Sequence, residues 1–442
     1  MIRNSLIGSL LVAAVVAPVV GADPLAGIDL PGAAVSQAEP ASPVATDLVT
    51  VYNSGPLDKD IGDRAFAAAR AAGGSAAIGR SASLGMTDLV RGSAVVQRPP
   101  AGFAYPMGTT MLPLDLIGRT MGREVSAVLS PNTLVMGALT ASLRGAQAGD
   151  TVTLTASWGG PVNFVIAAVV DDAVIGGTEL LMSTAGADRL GISRLSRVVI
   201  WGFDSRAAID SALAAQGLVS TSIRIRKSWD PTDPDFTLGM AKTKAALGEF
   251  AFRVNGNGSV SLDSSWKNAN ITSGSVGQLQ LSSGCHKTVR LDLQAAMAEL
   301  ATHVPNLTYT INYYDANRAG GCYYPRFNRL TPSSSIGFLS RHSWGMAIDT
   351  NTIGSCQGCA PPDMNCDTVR IFRKHGFAWG GNFLRPDGMH FEWVGEKRDH
   401  QPYPSRFCPN IVAPLTAELR VEDTERATFY ANDGLISGDA HE

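Results

Sequence analysis

The sequence predicts an α+β protein of two domains, and three observations support this prediction. Strand-like and helix-like segments alternate from Leu48 onward, a stretch rich in aspartate and proline at 229–236 breaks all periodicity, and every histidine and cysteine follows that stretch. The chain has 442 residues and 45% hydrophobic content, enough for two or three domains that each bury a core.

The overall charge excludes some classes of partner. Lysine and arginine together number 36 against 39 aspartates and glutamates, which gives a net charge of -3. A balance this even offers no broad electrostatic surface for nucleic acid or for an anionic membrane. We therefore expect no nucleic-acid partner, and the partners must be inferred from individual sites.

Residues 1–22 have the pattern of a secretory signal peptide. Arg3 precedes an apolar run from Leu6 to Val20, and small residues follow before Asp23. The alternative is an uncleaved membrane anchor, but the run is shorter than the roughly 18–20 residues that span a bilayer core. We expect export, with no transmembrane helix beyond the signal peptide.

The segment that follows the signal peptide is expected to be a flexible linker over 23–47, because it is rich in alanine, proline, glycine and serine and has no sustained periodicity. Residues 48–228 are predicted to form an α+β domain. In that range Val152 and Leu154 alternate with threonines, as a half-buried strand requires, and the alanine-rich stretch DRAFAAARAAG is typical of a helix.

The first domain contains neither histidine nor cysteine, so it lacks the commonest metal ligands and general bases. Its stretch 135–170 (VMGALTASLRGAQAGDTVTLTASWGGPVNFVIAAVV) resembles the extracytoplasmic core domains of export-type ABC permeases, in which a helix leads through a Gly-Asp turn into strands. This resemblance implies a folded interaction or scaffold module, which would bind an envelope partner.

The second domain is predicted over 237–414, after a linker at 229–236. Two prolines and three aspartates in SWDPTDPDF interrupt any regular element there. The remaining residues, 415–442, are polar and net acidic and are expected to be a mobile terminus.

The six cysteines all lie in the last third or so of the chain, at positions 285, 322, 356, 359, 366 and 408. An even number of cysteines in an exported chain predicts three disulfides, whose connectivity has fifteen possibilities. Cys356 and Cys359 form a CxxC motif, and in an exported chain we favour a disulfide over a redox or zinc motif.

Two histidines, His342 in SRHSWGMAID and His390 in RPDGMHFEW, are candidate metal ligands. Gly345 permits a turn after His342 into a short strand that ends at Asp349, so both side chains could face one point. Two imidazoles and one carboxylate suit a catalytic zinc site, which keeps a fourth position for water. We therefore predict a zinc site formed by His342, Asp349 and His390.

The other histidines have simpler explanations. His303 and His375 end predicted helices, where a partial positive charge suits the carbonyl end. His400 lies in a charged string and His441 in the terminal segment, and we expect His286 at the surface.

A hydrolytic site also needs a base that takes a proton from water and passes it to the leaving amine. Asp387 lies three residues before His390, at the mouth of a predicted strand. Glu392 competes for this role because alternate residues of a strand share a face. We favour Asp387 as the base, with Glu392 holding a ligand or substrate group in place.

Together the two motifs resemble the family of zinc D-alanyl-D-alanine carboxypeptidases and L-alanyl-D-glutamate endopeptidases that cut bacterial cell-wall peptides. The family pattern Ser-x-His-x-x-Gly-x-Ala-x-Asp, followed later by a third ligand, is met by Ser340, His342, Gly345, Ala347, Asp349 and His390. Many members carry Glu three residues before the last histidine, whereas Asp387 stands here, as in the endolysin-like setting WGG…D…HFE. The resemblance covers roughly 237–410.

This resemblance also implies a small α+β domain in which a central antiparallel sheet, flanked by helices, carries the zinc. The strand-like segments TYTINYY and HFEWV agree with such a sheet. Family members use an arginine upstream of the first ligand to orient a substrate carboxylate or a developing oxyanion. Arg326 is the favoured candidate, with Arg329 or Arg318 as alternatives.

The function that the resemblance implies is hydrolysis of peptidoglycan stem peptides by a bacterial zinc peptidase, secreted or located in the periplasm or cell wall. The bond cut could be D-Ala-D-Ala or L-Ala-D-Glu. One alternative is a non-catalytic zinc-containing protein that binds the cell wall or envelope, and another is a disulfide-rich domain without metal. The presence of Asp387 favours the enzyme.

Overall fold

A computed structural model describes residues 47–53, 56–156, 160–219, 223–256, 259–277, 279–303, 322–328, 338–352, 354–400 and 402–410. Helices and strands are mixed, as the sequence predicted. Within these ranges no helix combines the length and the apolar character needed to cross a membrane. The predicted signal peptide and acidic tail, the segment TYTINYY, Arg318, Arg329 and His441 lie outside the described residues.

The described chain alternates short helices and strands over most of its length. The strands are β1 Leu48–Asn53, β2 Ser75–Arg91, β3 Ala94–Gln97, β4 Tyr105–Leu112, β5 Thr133–Gly137, β6 Thr151–Thr155, β7 Val162–Val170, β8 Leu180–Ser183, β9 Arg197–Trp201, β10 Ile223–Lys227, β11 Phe252–Val254, β12 Val260–Leu262, β13 Ile271–Val276, β14 Leu279–His286, β15 Ala347–Asp349, β16 Phe377–Trp379 and β17 His390–Trp393. The helices are α1 Lys59–Ala71, α2 Leu114–Thr120, α3 Arg123–Ala127, α4 Ala138–Arg144, α5 Thr184–Arg189, α6 Arg206–Ala215, α7 Met240–Leu247, α8 Ser264–Asn270, α9 Lys287–His303 and α10 Cys366–Lys374.

Four strands that lie between Leu48 and Lys227 form an antiparallel sheet. β1 pairs with β10 on one side and β9 on the other, and β9 pairs with the start of β2. With α1 and α6 as the connecting helices, this is a split β-α-β motif with the spatial order β10-β1-β9-β2. The two helices contact each other and share an apolar core with the sheet that includes Val51, Ala65, Ile200 and Ile209.

A closed six-stranded barrel is inserted between β2 and β9. Its strands follow the order β2-β4-β8-β5-β7-β6, and β6 pairs back onto β2. The barrel core contains Leu84, Met136 and Phe164. The predicted alternation in β6 is confirmed, because Val152 and Leu154 are fully buried while the flanking threonines are half-buried.

The long strand β2 joins the sheet to the barrel. Residues 75–79 of β2 pair with β9, and residues 80–86 pair with β4. A single strand of 17 residues can serve both structures because it changes partners along its length. The sequence predicted an α+β region here but not the barrel.

The C-terminal part of the described chain contains two hairpins, β11-β12 and β13-β14, the long helix α9, and a three-stranded antiparallel sheet with the order β15-β17-β16. Its core is aromatic, and Trp344, Phe372 and Phe391 are completely buried. The rings of Phe372 on α10 and Phe391 on β17 stack with their centroids 4.1 Å apart, which fixes the helix against the sheet.

The six cysteines form three disulfides: Cys285–Cys322, Cys356–Cys359 and Cys366–Cys408. The favoured disulfide role of the CxxC motif is therefore confirmed. Two of the bridges close loops of about forty residues, with sequence separations of 37 and 42, so they constrain the unfolded chain more than the local bridge does.

The structure does not show the expected division into two domains, because the described residues between 47 and 410 group into one compact unit. The segment predicted as a linker has no regular element, yet it contributes the buried Asp235. The carboxylate of Asp235 accepts two hydrogen bonds from Arg373 of α10, at 2.9 and 2.5 Å, and one from the backbone of Trp379 at 3.0 Å. This segment is thus joined to the elements that carry the candidate site.

Candidate metal centre

A tight turn carries His342. The residues from Arg341 to Trp344 form one 3₁₀ turn, which ends at Gly345 with φ of 65°. A Cβ at Gly345 would lie 2.8 Å from Ile271 Cδ1 and 2.9 Å from the backbone nitrogen of His286. Only glycine combines this conformation with such a close approach, and the turn predicted from the sequence is present.

Strand pairing brings the other two predicted ligands together. β15 and β17 are antiparallel, with Asp349 directly opposite His390 and Ala347 opposite Glu392. Because side chains alternate along a strand, these two pairs share one face of the sheet. The turn before β15 then places His342 beside that face.

His342, Asp349 and His390 form a compact group whose ligand atoms all lie within 4.8 Å of one another. Oδ1 of Asp349 is 3.4 Å from Nε2 of His342 and 3.1 Å from Nδ1 of His390. The side chain of His342 is 5% exposed and that of His390 11% exposed, so both rings are withdrawn from solvent.

The hydrogen bonding of His342 favours a metal ligand. Its Nδ1 donates to the backbone carbonyl of Cys322 at 3.1 Å, so the neutral ring carries its lone pair on Nε2. That Nε2 is buried and has no hydrogen-bond partner among the described residues. A buried acceptor nitrogen that faces a carboxylate and a second imidazole suits a divalent metal ion, so the residues present fit the predicted group.

Glu392 connects the group to a buried arginine that the sequence analysis did not single out. Oε2 of Glu392 is 3.4 Å from Nε2 of His390, and Oε1 is 3.2 Å from Nε of Arg341. Arg341 also donates to the backbone carbonyl of Leu238. The side chains of Arg341 and Glu392 are fully buried. Their pairing fixes the orientation of His390, a role that outer carboxylates have at metal sites.

Electrostatics favour opposite charges on Asp349 and His390. Burial disfavours the charged form of each residue, but contacts with His342 and His390 prevail and hold the pKa of Asp349 well below its usual range. Burial likewise opposes the charged form of His390, yet hydrogen bonds with Asp349 and Glu392 raise its pKa to about 10. A metal that binds these ligands must displace this proton, so its affinity is expected to rise with pH.

Asp387 lies in the turn that leads into β17. Its backbone nitrogen donates to Gly380 at 2.8 Å, and its carbonyl accepts from the nitrogen of His390 at 3.0 Å. Oδ2 of Asp387 accepts from the side-chain amide of Gln357 at 3.3 Å. The residue is half-buried, and its negative charge adds to the rise in the pKa of His390.

Residues 333–393 match the family model of D-alanyl-D-alanine carboxypeptidase. The resemblance of the C-terminal region to this carboxypeptidase family is thereby confirmed, and a peptidase is indicated. The matched segment contains His342, Asp349, Asp387 and His390, whereas Arg326 and the barrel lie outside it. No curated protein matches the chain.

Outside the carboxypeptidase match, Arg326 is anchored close to His342 through its backbone. Its backbone nitrogen donates to Oγ of Ser343 at 3.2 Å, and its carbonyl accepts from the backbone nitrogen of Ser340 at 2.9 Å. The residue is half-buried. The backbone contacts therefore place Arg326 beside the turn that carries the first proposed ligand.

The predictions for two of the remaining histidines differ in outcome. His375 lies directly after α10, at its carbonyl end, as predicted, and its Nε2 is 2.7 Å from Glu299. The expectation that His286 lies at the surface is wrong. His286 is 2% exposed, its Nε2 donates to the carbonyl of Leu247 at 3.1 Å, and its Nδ1 accepts from the nitrogen of Thr288 at 3.2 Å.

Proposed function

We propose that this chain is an exported bacterial zinc peptidase that hydrolyses stem peptides of peptidoglycan. The observation that carries the proposal is the convergence of His342, Asp349 and His390 within a segment that matches the carboxypeptidase family. The three disulfides are consistent with an oxidising compartment, which supports export.

Zinc is the metal proposed for this group because two imidazoles and one carboxylate are typical ligands of catalytic zinc sites. When bound, zinc acts as a Lewis acid and lowers the pKa of a coordinated water to about 7. His342 Nε2, Asp349 Oδ1 and His390 Nδ1 would hold it. The proton on Nε2 of His390 would then be donated to Glu392, which orients the imidazole.

Asp387 is proposed as the general base. From the turn before β17 its carboxylate would accept a proton from the attacking water and then return it to the leaving amine nitrogen. Glu392 was the competing candidate, but it is fully buried and contacts both Arg341 and His390. These contacts support a role in orienting a ligand rather than in accepting the proton.

Arg326 is proposed to bind a carboxylate of the substrate or the developing oxyanion. Its backbone contacts with Ser340 and Ser343 support this role, since they fix the start of its side chain near the proposed ligands. A guanidinium pairs with a planar carboxylate through two parallel hydrogen bonds. A free terminal carboxylate occurs at the D-Ala end of a stem peptide, so the carboxypeptidase reaction is favoured over the endopeptidase reaction.

Digestion of purified muropeptides with and without a chelator, followed by mass analysis, tests the proposed function. We expect loss of a terminal D-alanine, abolished by the chelator and restored by zinc. Cleavage between L-Ala and D-Glu would support a peptidase of the endopeptidase type instead of a carboxypeptidase. Bound zinc without any cleavage would instead support the non-catalytic alternative.

Two histidine variants complete this test. His342→Ala should lose both zinc and cleavage because it removes a proposed ligand. His375→Ala is the matched control, since His375 contacts Glu299 at the end of α10 and should keep zinc and activity. Equal loss in both variants would contradict the assignment of His342.

A further inference from the structure

The loop closed by the Cys356–Cys359 disulfide lies directly against Asp387. Gln357, between the two cysteines, forms an antiparallel bridge with Asp387. The backbone nitrogen of Gly358 donates to the carbonyl of Pro386 at 2.6 Å, and the side-chain amide of Gln357 donates to Oδ2 of Asp387 at 3.3 Å.

Further contacts attach the residues that flank this loop to the sheet of the candidate site. The nitrogen of Met389 donates to the carbonyl of Ser355 at 2.8 Å, and the nitrogen of Thr350 donates to the carbonyl of Met389 at 2.7 Å. A Cβ at Gly388 would lie 2.3 Å from Cβ of Pro362 and 3.3 Å from Cβ of Ser355, so the residues on either side of the loop approach the turn before β17 too closely for any residue but glycine. The loop therefore packs on the turn rather than projecting into solvent.

This arrangement addresses a requirement of the proposed reaction. A general base must stay within hydrogen-bond reach of the proton that it takes, and a misplacement of about 1 Å can cost roughly 100-fold in rate. Asp387 is half-buried and lies outside the regular helices and strands, and the amide of Gln357 donates to its Oδ2. A disulfide across two intervening residues limits the conformations open to Gln357.

We propose that Gln357 is a positioning residue for Asp387 and that the Cys356–Cys359 disulfide holds Gln357 in the conformation that donates to Oδ2. This inference rests on the proposed function, in which Asp387 is the base. Gln357 acts through Asp387, without contacting the substrate itself.

Two substitutions at Gln357 separate hydrogen bonding from packing. Gln357→Ala removes the amide, whereas Gln357→Glu keeps nearly the same size and replaces the donor by a carboxylate that repels Asp387. We expect both variants to lower kcat by about tenfold with KM within about twofold and one zinc per chain. If Gln357→Glu retained the wild-type kcat, the positioning role would be overturned.

The part played by the disulfide is tested by replacing both Cys356 and Cys359 with serine. The bridge is inferred to act through Gln357. Combining this double substitution with Gln357→Ala should therefore lower kcat by less than the product of the two separate losses. A combined loss of kcat equal to the product of the two separate losses would contradict the inference that the disulfide acts through Gln357. The matched control replaces Cys366 and Cys408 with serine and is assayed below its melting temperature, where kcat should be unchanged.

Hydrogen exchange gives a readout that does not depend on activity. The amide of Met389 should exchange faster in the Cys356/Cys359 variant than in wild type, because its acceptor Ser355 directly precedes Cys356 and is released with the loop. The Cys366/Cys408 variant should not show this change. Unchanged exchange of the Met389 amide in the Cys356/Cys359 variant would overturn the inference, whether or not the wild-type protein cleaves muropeptides. If the wild-type protein cleaved no muropeptide, that result alone would reject only the proposed function.

Discussion

At the scale of single residues, the site depends on a continuous series of charged contacts. Arg341 pairs with Glu392, Glu392 contacts His390, and His390 contacts Asp349. The three residues that converge here could be named from the sequence because histidine and aspartate in a motif have a recognisable chemistry. Arg341 was not identified from the sequence, because an arginine beside His342 resembles an ordinary surface residue until the structure shows that it is buried.

Glu392→Gln should weaken the metal site and the fold together. The change keeps the shape of the side chain but removes the negative charge that compensates Arg341 and orients His390. We expect metal affinity to fall by about 10–100-fold and the free energy of unfolding by about 3–5 kcal/mol. Chelator competition and urea denaturation measure the two effects.

Glu396→Gln is the matched control for this substitution, because Glu396 pairs with Arg398 near the surface, with its side chain 24% exposed. It should alter neither the metal affinity nor the unfolding free energy by a comparable amount. An equal effect of the two substitutions would contradict the role assigned to Glu392.

The buried His286 predicts a dependence of stability on pH. Burial lowers the pKa of His286 from 6.5 to about 4. Between these two pH values His286 binds a proton more readily in the unfolded chain than in the folded chain. The unfolding free energy should therefore fall as the pH drops from about 6.5 towards about 4. Urea denaturation of the metal-free protein should show a smaller loss for His286→Gln than for wild type. The same loss in both would exclude His286 as the cause.

At the scale of elements, short-range patterns were readable and long-range pairings were not. The alternation in β6 and the shared face of His390 and Glu392 follow from the two-residue period of a strand, so the sequence contains them. Closure of the barrel depends on β2 meeting β6, which lies some sixty residues later. No local pattern specifies which of several possible partners a strand will choose.

Gly345→Ala should disrupt the turn that joins His342 to β15. The φ of 65° disfavours a side chain by about 1–2 kcal/mol, and the added Cβ would also meet Ile271 and the backbone of His286. Thermal denaturation and metal titration should both show losses. Gly145→Ala is the control, because Gly145 has the same φ of 65° with nothing within 4 Å, and it should lose only the conformational part.

At the scale of the whole molecule, buried charges join the barrel to the C-terminal part of the described chain. Nζ of Lys244 on α7 is 2.7 Å from Glu179, beside β8 of the barrel, and 2.9 Å from Glu249. Arg144 of α4 also pairs with Glu249. The sequence predicted a boundary between these regions from local composition. Local composition indicates where turns lie, but it does not show which distant charged residues are buried together.

Lys244→Ala should destabilise both regions at once. It leaves the buried Glu179 and Glu249 with Arg144 as their remaining cation, so we expect a loss of about 3–5 kcal/mol and a single lower melting transition. Lys242→Ala, on the same helix but half-buried, should have a smaller effect. Two separate transitions in the Lys244 variant would show that the barrel and the C-terminal part unfold independently.

The central claim is that His342, Asp349 and His390 hold the metal while Asp387 performs the proton transfers. Zinc content and muropeptide turnover of Asp387→Asn, measured beside wild type, test it most directly. We predict one zinc per chain and a loss of turnover of about 10²–10⁴-fold, the contribution of a positioned acid–base group. An Asp387→Asn protein with wild-type turnover would contradict the claim.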